Sequence, residues 1–315
     1  PQSAPSSAVP SAPRGRERFT LANLQELDAL GQVWIARDEE LGRDVALKEL
    51  RAELADSPAA RDRFVSAARL SGQLEHPNIR PLYELAQNST TGLPFCTLRH
   101  VQGRLLTEAI QAYHERRRQG TARFLEQRQL LQAFISVCQA VAYAHARQII
   151  HRDLRPNAIV MGDHGEAVLT DWNHAQRVGE QPAVGDRQPG DARREQRSTN
   201  GVSNAGNPTV SIPITPYQAP EQAAGRASEV DQVSDVYSLG AILYELLTGR
   251  PPFQEDNPLD TLVQVLESEP PRPASLRPEV PRALELTCLR CLEKTSEARY
   301  ASADALADDL ERYLR

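Results

Sequence analysis

The stretch IIHRDLRPNAIV, residues 149–160, lies near the middle of the 315-residue chain and decides how the rest of the sequence is interpreted. Its core follows the spacing H-R-D-L-x-x-x-N, a recognised short motif. Asp153 occupies the Asp position, but Ala158 stands where the pattern has Asn. The stretch therefore keeps the acidic residue of the motif and lacks its amide.

The composition limits the classes of protein to which the chain can belong. The length allows one bilobal domain or two small domains, and 40% hydrophobic residues supply a sizeable core. A net charge of −6 argues against a dedicated nucleic-acid-binding protein. Cys96 and Cys138 are isolated, and Cys288 and Cys291 form a lone C-x-x-C. We interpret this pair as two small apolar residues of a helix rather than as half of a zinc site.

The cysteine usage also favours a reducing compartment, so we expect the chain to be cytoplasmic. No apolar run in the sequence approaches the roughly 20 residues that cross a bilayer. We therefore predict no membrane contact within it. Because the sequence begins at Pro1, we expect it to be a piece of a longer protein, which could be anchored in a membrane by another segment.

Strand-like and helix-like patterns divide the chain into two parts. Residues 1–17 are rich in Pro, Ser and Ala, which predicts a disordered linker. Strand-like runs and an amphipathic helix at residues 57–75 follow, whereas helical patterns dominate after Gly103. Residues 177–211 have almost no large apolar side chains, which predicts a long loop that is either a functional segment or a plain insertion. Its candidate phosphate acceptors are Ser198, Thr199, Ser203 and Thr209.

Several short motifs occur in a fixed order along these elements. They are VALK at residues 45–48, HRDLRPNA at 151–158, TDWN at 170–173, APE at 219–221, SDVYSLG at 234–240 and EARYAS at 297–302. Together they resemble the eukaryotic-like Ser/Thr protein kinases of bacteria, over almost all of residues 19–315. The resemblance implies an α+β, bilobal protein-kinase fold, with a small antiparallel β-rich N-lobe holding one main helix and a larger, mainly helical C-lobe. We expect the lobes at residues 18–101 and 102–315, with a disordered activation segment at residues 174–213.

The resemblance also assigns roles to side chains. Lys48 would hold the α- and β-phosphates of ATP, Asp153 would accept the proton of the substrate hydroxyl, and Asp171 would bind magnesium. Arg155 replaces a Lys of the catalytic loop near the transferred phosphate. Asp235 would anchor this loop from a buried helix. The other structural positions are His151, Arg152, Glu221 and Arg299, the last two forming an ion pair.

The adenine ring of ATP would lie among apolar side chains and beside the hinge that joins the lobes. These residues serve equally well as ordinary core residues, so both interpretations stay open. The positions are Val33, Ala46 and Val160 around the ring and Leu98, Arg99 and Val101 at the hinge.

The sequence departs from the family at the glycine-rich loop, G-x-G-x-x-G-x-V. Here it reads ELDALGQV, so Glu26 and Asp28 replace two glycines and only Gly31 remains. Glycine lets the backbone approach the phosphates, whereas two carboxylates bring negative charge to a site built for anions. We expect weakened nucleotide binding, unless both side chains turn to solvent.

Further departures affect the groups that hold phosphate and metal. Ala67 stands where the family has the Glu that pairs with the strand Lys, so we expect Lys48 to pair with Asp171, Glu26 or Asp28 instead. Asn173 replaces the glycine of Asp-Phe-Gly, and Ala158 removes the second metal ligand. The losses are concentrated on phosphate and metal handling.

The sequence therefore predicts a pseudokinase, a kinase-fold regulatory or scaffolding module with lost or severely impaired phosphotransfer. One alternative is an atypical active Ser/Thr kinase that uses Lys48, Asp153 and Asp171. The other is a switch that binds nucleotide without metal. The main prediction requires no cofactor, with weak ATP binding at most and no magnesium. We expect protein partners of unknown identity and no nucleic acid.

Overall fold

The computed structural model describes residues 16–163, 165–180 and 215–315. Its first part is an antiparallel sheet of five strands in the order β1-β2-β3-β5-β4, with one long helix, α1, packed against it. The elements are β1 Phe19–Leu27, β2 Gly31–Asp38, β3 Arg43–Leu50, α1 Pro58–Ser71, β4 Leu82–Gln87 and β5 Pro94–Arg99. Helix α1 begins at Pro58 because the Ser57 side chain accepts a hydrogen bond from the Ala60 N–H and Pro pre-sets the first turn.

Strand β3 is buried on both faces, and its alternation determines where Lys48 points. Val45 and Leu47 belong to an apolar cluster with Phe95 on one face of the sheet. Because side chains alternate across a strand, Lys48 and Leu50 lie on the other face. Leu50 packs there with side chains of α1, so Lys48 lies on the face of the sheet toward the helix.

The second part is mainly helical. Its helices are α2 Leu106–Arg118, α3 Phe124–His145, α4 Pro220–Ala223, α5 Gln232–Thr248, α6 Pro258–Glu267, α7 Pro273–Leu276, α8 Arg282–Cys291 and α9 Ala303–Leu314. Its strands are β6 Gly103–Leu105, β7 Ile149–Ile150, β8 Ile159–Gly162, β9 Ala167–Leu169 and β10 Gln176–Arg177. Helix α5 is apolar around most of its circumference and is almost wholly buried, as expected for the central helix of a large core.

Helix α8 explains the C-x-x-C pair. Cys288 and Cys291 are fully buried against α5, where a Cβ on Gly240 would come within 2.4 Å of the Cys291 Cβ. The two cysteines are packing residues of a helix, in agreement with the sequence interpretation.

The bilobal α+β fold expected from the sequence is confirmed. One difference concerns residues 174–180, which were expected to be disordered: they form a turn of 3-10 helix and strand β10, because β10 pairs with β7 beside the catalytic loop. Residues 181–214 and the four hydroxyl residues of that loop lie outside the described residues, as do residues 1–15. Within the described ranges, no helix combines the length and the apolar character needed to span a bilayer.

Candidate active site

The loop at residues 151–158 is anchored by one buried carboxylate. Asp235, in the first turn of α5, accepts hydrogen bonds from the backbone N–H groups of His151 (2.8 Å) and Arg152 (2.9 Å). Its Oδ2 also lies 2.8 Å from Nε2 of His145. Burial raises the pKa of Asp235, but these donors outweigh burial and hold the pKa below its ordinary value. This geometry is the anchoring contact that the resemblance implies.

Lys48 is bound to two side chains of the cleft, and neither comes from α1. Its side chain is 11% exposed. Nζ donates to Oδ2 of Asp28 and to Oδ1 of Asn173, each at 2.5 Å. Burial disfavours the ammonium, but the carboxylates of Asp28 and Asp171 outweigh burial and raise the pKa of Lys48. Lys48 is therefore a charged group already bound to protein partners.

Asp28 closes the turn between β1 and β2 and points into the cleft. Its Oδ1 accepts from the backbone N–H groups of Leu30 (2.8 Å) and Gly31 (2.6 Å). Its Oδ2 accepts from Lys48 and from Nδ2 of Asn173 at 3.0 Å. The alternative that both loop carboxylates turn to solvent is thus wrong for Asp28.

Two further residues of this region, Gly31 and Glu26, lie close to Lys48. A Cβ on Gly31 would lie 2.7 Å from Cε of Lys48 and 3.1 Å from the carbonyl oxygen of Glu49, so a side chain there would displace Lys48 from its present position. Glu26 lies at the rim of the cavity beside Lys48, where desolvation and the charge of Asp171 raise its pKa. The former glycine-rich loop is therefore lined with acid on the side that faces the lysine.

Arg155 joins the two aspartates of the site. Its Nη2 donates to Oδ2 of Asp171 at 2.7 Å, and its Nε lies 3.3 Å from Oδ2 of Asp153. Burial raises the pKa of Asp153 to about 7, although Arg155 opposes this shift. At Asp171 burial also favours the neutral form, but Lys48 and Arg155 outweigh it and lower the pKa. Asp171 adopts a left-handed φ of 60°, a conformation concentrated at functional sites.

The donors around Asp171 do not fit a resident magnesium ion. Magnesium takes oxygen ligands in near-ideal octahedral geometry. Both oxygens of Asp171 are already acceptors, Oδ2 from Arg155 and Oδ1 from Asn173 Nδ2. Ala158 offers no ligand, and the described part of the chain brings together no group of three or more His, Cys, Asp or Glu side chains that could hold a metal.

Arg80 lies in the cleft beside the hinge. Its Nε donates to the backbone carbonyl of Arg99 at 2.7 Å, and its side chain lines the same cavity as Val33 and Leu98. Desolvation lowers the pKa of Arg80, and the carboxylate of Glu26 opposes this effect. The Arg80 guanidinium therefore donates to the hinge carbonyl of Arg99, the same group that an N–H of a bound adenine ring would use. Arg80 was not among the residues that the sequence suggested for the adenine site, where the apolar positions were left open between ring binding and ordinary core packing.

The remaining positions predicted to hold adenine have different surroundings. Arg99 contributes its carbonyl, while its side chain is exposed. Ala46 and Val101 are buried, Val160 is half-buried, and none of the three lines the cavity beside Lys48. Of the six predicted positions, only Val33 and Leu98 line it.

Helix α1 contacts the segment after Asp171 through a pair that replaces the missing Lys–Glu contact. Ala67 faces the cavity, and Nη2 of Arg63 lies 2.5 Å from Nδ1 of His174. Burial, with Arg63 nearby, lowers the pKa of His174 well below its ordinary value, so the imidazole is neutral and can accept from the guanidinium. The helix is thus held close to the site without a carboxylate reaching Lys48.

A second buried ion pair lies on the far side of the C-lobe. Nη1 and Nη2 of Arg299 donate to the two carboxylate oxygens of Glu221 at 2.8 and 2.9 Å. Ser234 Oγ donates to the same carboxylate at 2.6 Å. Such a bidentate, hydrogen-bonded pair is the strong form of salt bridge, and it ties the start of α4 to the residues before α9.

Three side chains of the site were not recognised in these roles from the sequence. Arg80 belongs to NIRPLYELAQ, an otherwise strand-like run. A charged residue directly after the buried Ile79 was the one sequence feature that could have indicated its place in the cleft. Asn173 was recognised as a lost glycine but not as a ligand of Lys48 and Asp171. Nothing in the sequence around His174 indicated its contact with Arg63.

Comparison with known proteins agrees with this geometry. The family model described as "Protein kinase domain" matches residues 29–310. Serine/threonine-protein kinase PknD of Protochlamydia amoebophila is 31% identical over 290 residues, covering 90% of this chain and 29% of that protein. Serine/threonine-protein kinase PknB of Mycobacterium leprae is 30% identical over 302 residues, covering 95% of this chain and 43% of that protein.

A probable serine/threonine-protein kinase of Streptomyces coelicolor is 31% identical over 299 residues, covering 94% of this chain and 40% of that protein. The chain thus spans less than half the length of these relatives. Two observations now agree, a family model that matches most of the chain and a bilobal structure with an Asp235-anchored catalytic loop. The chain belongs to the protein kinase domain family, among relatives named bacterial Ser/Thr protein kinases.

Proposed function

We propose that this chain is a pseudokinase, a kinase-fold module that works by binding protein partners and has lost most or all phosphotransfer. The observation that carries the proposal is the arrangement around Lys48, whose ammonium is held by Asp28 and Asn173. In an active kinase the lysine that contacts the ATP phosphates is oriented by a Glu of the neighbouring helix. Lys48 lacks this partner, since Ala67 lines the cavity from α1, and Asp28 and Asn173 hold its ammonium instead.

Electrostatics supports weak nucleotide binding at most. A phosphate near Lys48 would have to displace the Asp28 carboxylate or lie beside it. Two like charges about 5 Å apart repel by roughly 1–3 kcal/mol at an effective dielectric between that of water and that of a protein surface. Arg80 adds a second obstacle, because its guanidinium already donates to the Arg99 carbonyl and lies beside the group that a ring N–H would use.

The residues that would hold a metal ion also differ from the family pattern. Asp171 is engaged by Arg155 and Asn173, and Ala158 provides no second ligand. We therefore propose that the module requires no cofactor and that magnesium plays no part in its work.

One geometric observation favours the alternative, an atypical active kinase. Asp153, Arg155 and Asp171 lie together, and the pKa of Asp153, about 7, suits a general base near neutral pH. The relatives are also named as kinases. The two functions differ in whether the protein binds ATP with a metal ion.

Thermal unfolding of the chain with 1 mM ATP, alone and with magnesium or manganese, tests the proposal. A ligand at 100 times its Kd stabilises a protein by about 2.7 kcal/mol, so this concentration detects a Kd of roughly 10 μM with ease. We expect no metal-dependent shift. A metal-dependent shift, with phosphate incorporation into protein that disappears in Asp153→Asn, would overturn the proposal in favour of an active kinase. A shift that ATP produces equally without metal would instead make the chain a nucleotide-binding switch.

A further inference from the structure

The chain has two lysines, Lys48 and Lys294, and their surroundings are opposite in charge. Lys48 is held by the carboxylate of Asp28 in the cleft. Lys294 lies in the C-lobe just after α8, where its Nζ donates to the backbone carbonyl of Val265 in α6 at 2.7 Å. The same Nζ lies 4.5 Å from the centre of the Phe253 ring. Both of these contacts of Lys294 are with uncharged groups, whereas Lys48 is in an ion pair.

These surroundings determine how readily Lys294 loses its proton. Burial lowers the pKa of Lys294 to about 8, with Glu269 opposing this shift and Arg299 adding to it. At pH 7 an amine with a pKa of 8 is about 9% unprotonated, against about 0.04% for an ordinary lysine. An unprotonated lysine amine attacks carbonyl carbons. Lys294 is only half-buried, so a small molecule can reach this amine.

A groove of about 500 Å³ adjoins Lys294. Its lining comes from residues 250–256, between α5 and α6, and from residues at the end of α6 and after it. Phe253 and Glu269 line the groove and also act on Lys294, the first through its ring and the second through its charge. The groove shares no lining residue with the cavity beside Lys48. It is therefore separate from the candidate active site.

The charges along the groove limit which reagents can approach Lys294. Three carboxylates line it, those of Glu255, Asp256 and Glu269, against the single cation of Arg250. Like charges repel, so an anionic reagent such as an acyl phosphate is disfavoured. An uncharged carbonyl compound avoids this repulsion and can pack its apolar part against Phe253. The groove therefore favours an uncharged aldehyde.

We propose that Lys294 is a covalent site for small, uncharged aldehydes, which enter the groove and form a Schiff base with Nζ. The nitrogen attacks the carbonyl carbon, and a proton moves from nitrogen to oxygen to give a carbinolamine. The hydroxyl then leaves as water with a proton from the solvent, and nitrogen becomes double-bonded to carbon as it releases its last proton to the solvent. This site goes beyond the proposed function, because its reaction uses no nucleotide and no residue of the cleft.

Reductive trapping tests the reaction. Sodium cyanoborohydride converts a Schiff base into a stable secondary amine, and peptide mass spectrometry then assigns the label to a residue. The folded chain is treated with propanal at pH 7, with N-acetyl-lysine amide as the ordinary amine. We expect Lys294 to be labelled at least about tenfold faster than N-acetyl-lysine amide and faster than Lys48, because its unprotonated fraction is larger. Labelling of Lys294 no faster than either reference would overturn the proposal.

The pH dependence provides a second readout on the wild-type chain. The rate at Lys294 is divided by the rate of N-acetyl-lysine amide at the same pH, which removes the pH dependence of the borohydride. We expect this ratio to be constant below pH 8 and to fall between pH 8 and 10, since Lys294 is then already unprotonated while the ordinary amine still gains free base. A ratio that stays constant up to pH 10 would contradict the proposal.

Glyoxylate, an anionic aldehyde, tests entry through the groove. With rates divided by those of N-acetyl-lysine amide, we expect Lys294 to prefer propanal over glyoxylate. Glu269→Gln should narrow this preference and speed labelling by propanal at pH 7 by up to about fivefold, because it removes a carboxylate that favours the ammonium. Glu267→Gln is the matched control, since Glu267 is exposed at the end of α6 and does not line the groove. Equal reaction of the two aldehydes, or equal effects of the two variants, would rule out the groove as the route to Lys294.

Discussion

The bond between Lys48 and Asp28 makes a quantitative prediction for Asp28→Asn. The amide keeps an oxygen that can accept from the N–H groups of Leu30 and Gly31, so the turn between β1 and β2 is preserved. The second oxygen becomes an NH₂ group that faces two other donors, Nζ of Lys48 and Nδ2 of Asn173. The substitution therefore removes an ion pair and creates a conflict between donors, without changing the shape of the side chain.

The size of the effect follows from the burial of the pair. Removing one partner of a buried ion pair costs about 3–5 kcal/mol. Here Lys48 and Asp28 are 11% and 17% exposed, and Lys48 keeps Asn173 and the nearby charge of Asp171. We therefore expect a loss of roughly 2–3 kcal/mol, somewhat below that range.

Urea unfolding at pH 7 measures this loss, with Asp44→Asn as the matched control. Asp44 pairs with Arg37 at 3.1 Å in the same sheet, but the two side chains are 50% and 47% exposed. Exposed pairs contribute about 0–1 kcal/mol, so the control should be nearly neutral. If Asp28→Asn is no more destabilising than Asp44→Asn, Lys48 is not held as described.

The same variant also tests the electrostatic barrier to nucleotide. Removing one negative charge about 5 Å from a phosphate should strengthen metal-free ATP binding by roughly 1–3 kcal/mol, about 5- to 150-fold. Isothermal titration of wild-type and variant protein measures the change. Unchanged affinity, together with the loss of stability, would mean that Arg80 rather than Asp28 limits access.

Three further predictions concern other buried charges. Asp235→Asn should destabilise the chain by about 3–5 kcal/mol in urea, because the amide cannot accept from all the donors that surround the carboxylate. The Asp153 carboxyl keeps its proton up to about pH 7 in the folded protein but loses it near pH 4 in the unfolded chain, so wild-type stability should fall by at most roughly 4 kcal/mol as pH rises from 4 to 7. Asp153→Asn removes this titrating group and should flatten that pH dependence. Arg299→Lys should cost about 2–4 kcal/mol, because a single ammonium cannot replace the bidentate contact with Glu221, and a comparable cost for the exposed Arg312→Lys would contradict this reasoning.

The fold was predictable because its signals are local and mutually consistent. The Ser57-Pro58 start of α1, the alternation of β3 and the apolar α5 ending at Gly249 each follow from sequence periodicity and capping. The order of short motifs then fixed how these elements assemble. The ion pair of Glu221 with Arg299 was predictable in the same way, since both residues belong to motifs of the family.

The cleft was less predictable, because its contacts join residues far apart in sequence. Lys48 meets Asn173 across 125 positions, and Arg63 meets His174 across 111. The sequence showed which family residues were missing but not what would replace their contacts. It offered three carboxylates for Lys48, and the choice of Asp28 depends on a turn whose own N–H groups orient that side chain.

The departures from the kinase family pattern lie in the cleft rather than in the buried contacts of the C-lobe, and this distribution has a physical explanation. The contacts of Asp235, Glu221 and Arg299 are needed for the stability of the C-lobe. Losing any of these side chains would leave buried donors or charges without partners, whether or not the protein reacts with ATP. Lys48, Asp171 and Arg80 line a cleft in which a kinase relies on ligand for part of its charge balance. Under the proposed function no ligand balances the charge of Lys48, and the protein itself supplies what is missing: Asp28 provides the counter-charge and Asn173 a hydrogen bond. Under that proposal such replacements should occur together, and Asp28→Gly alone should leave Lys48 short of a counter-charge, with the family's Glu and Asn still absent at Ala67 and Ala158.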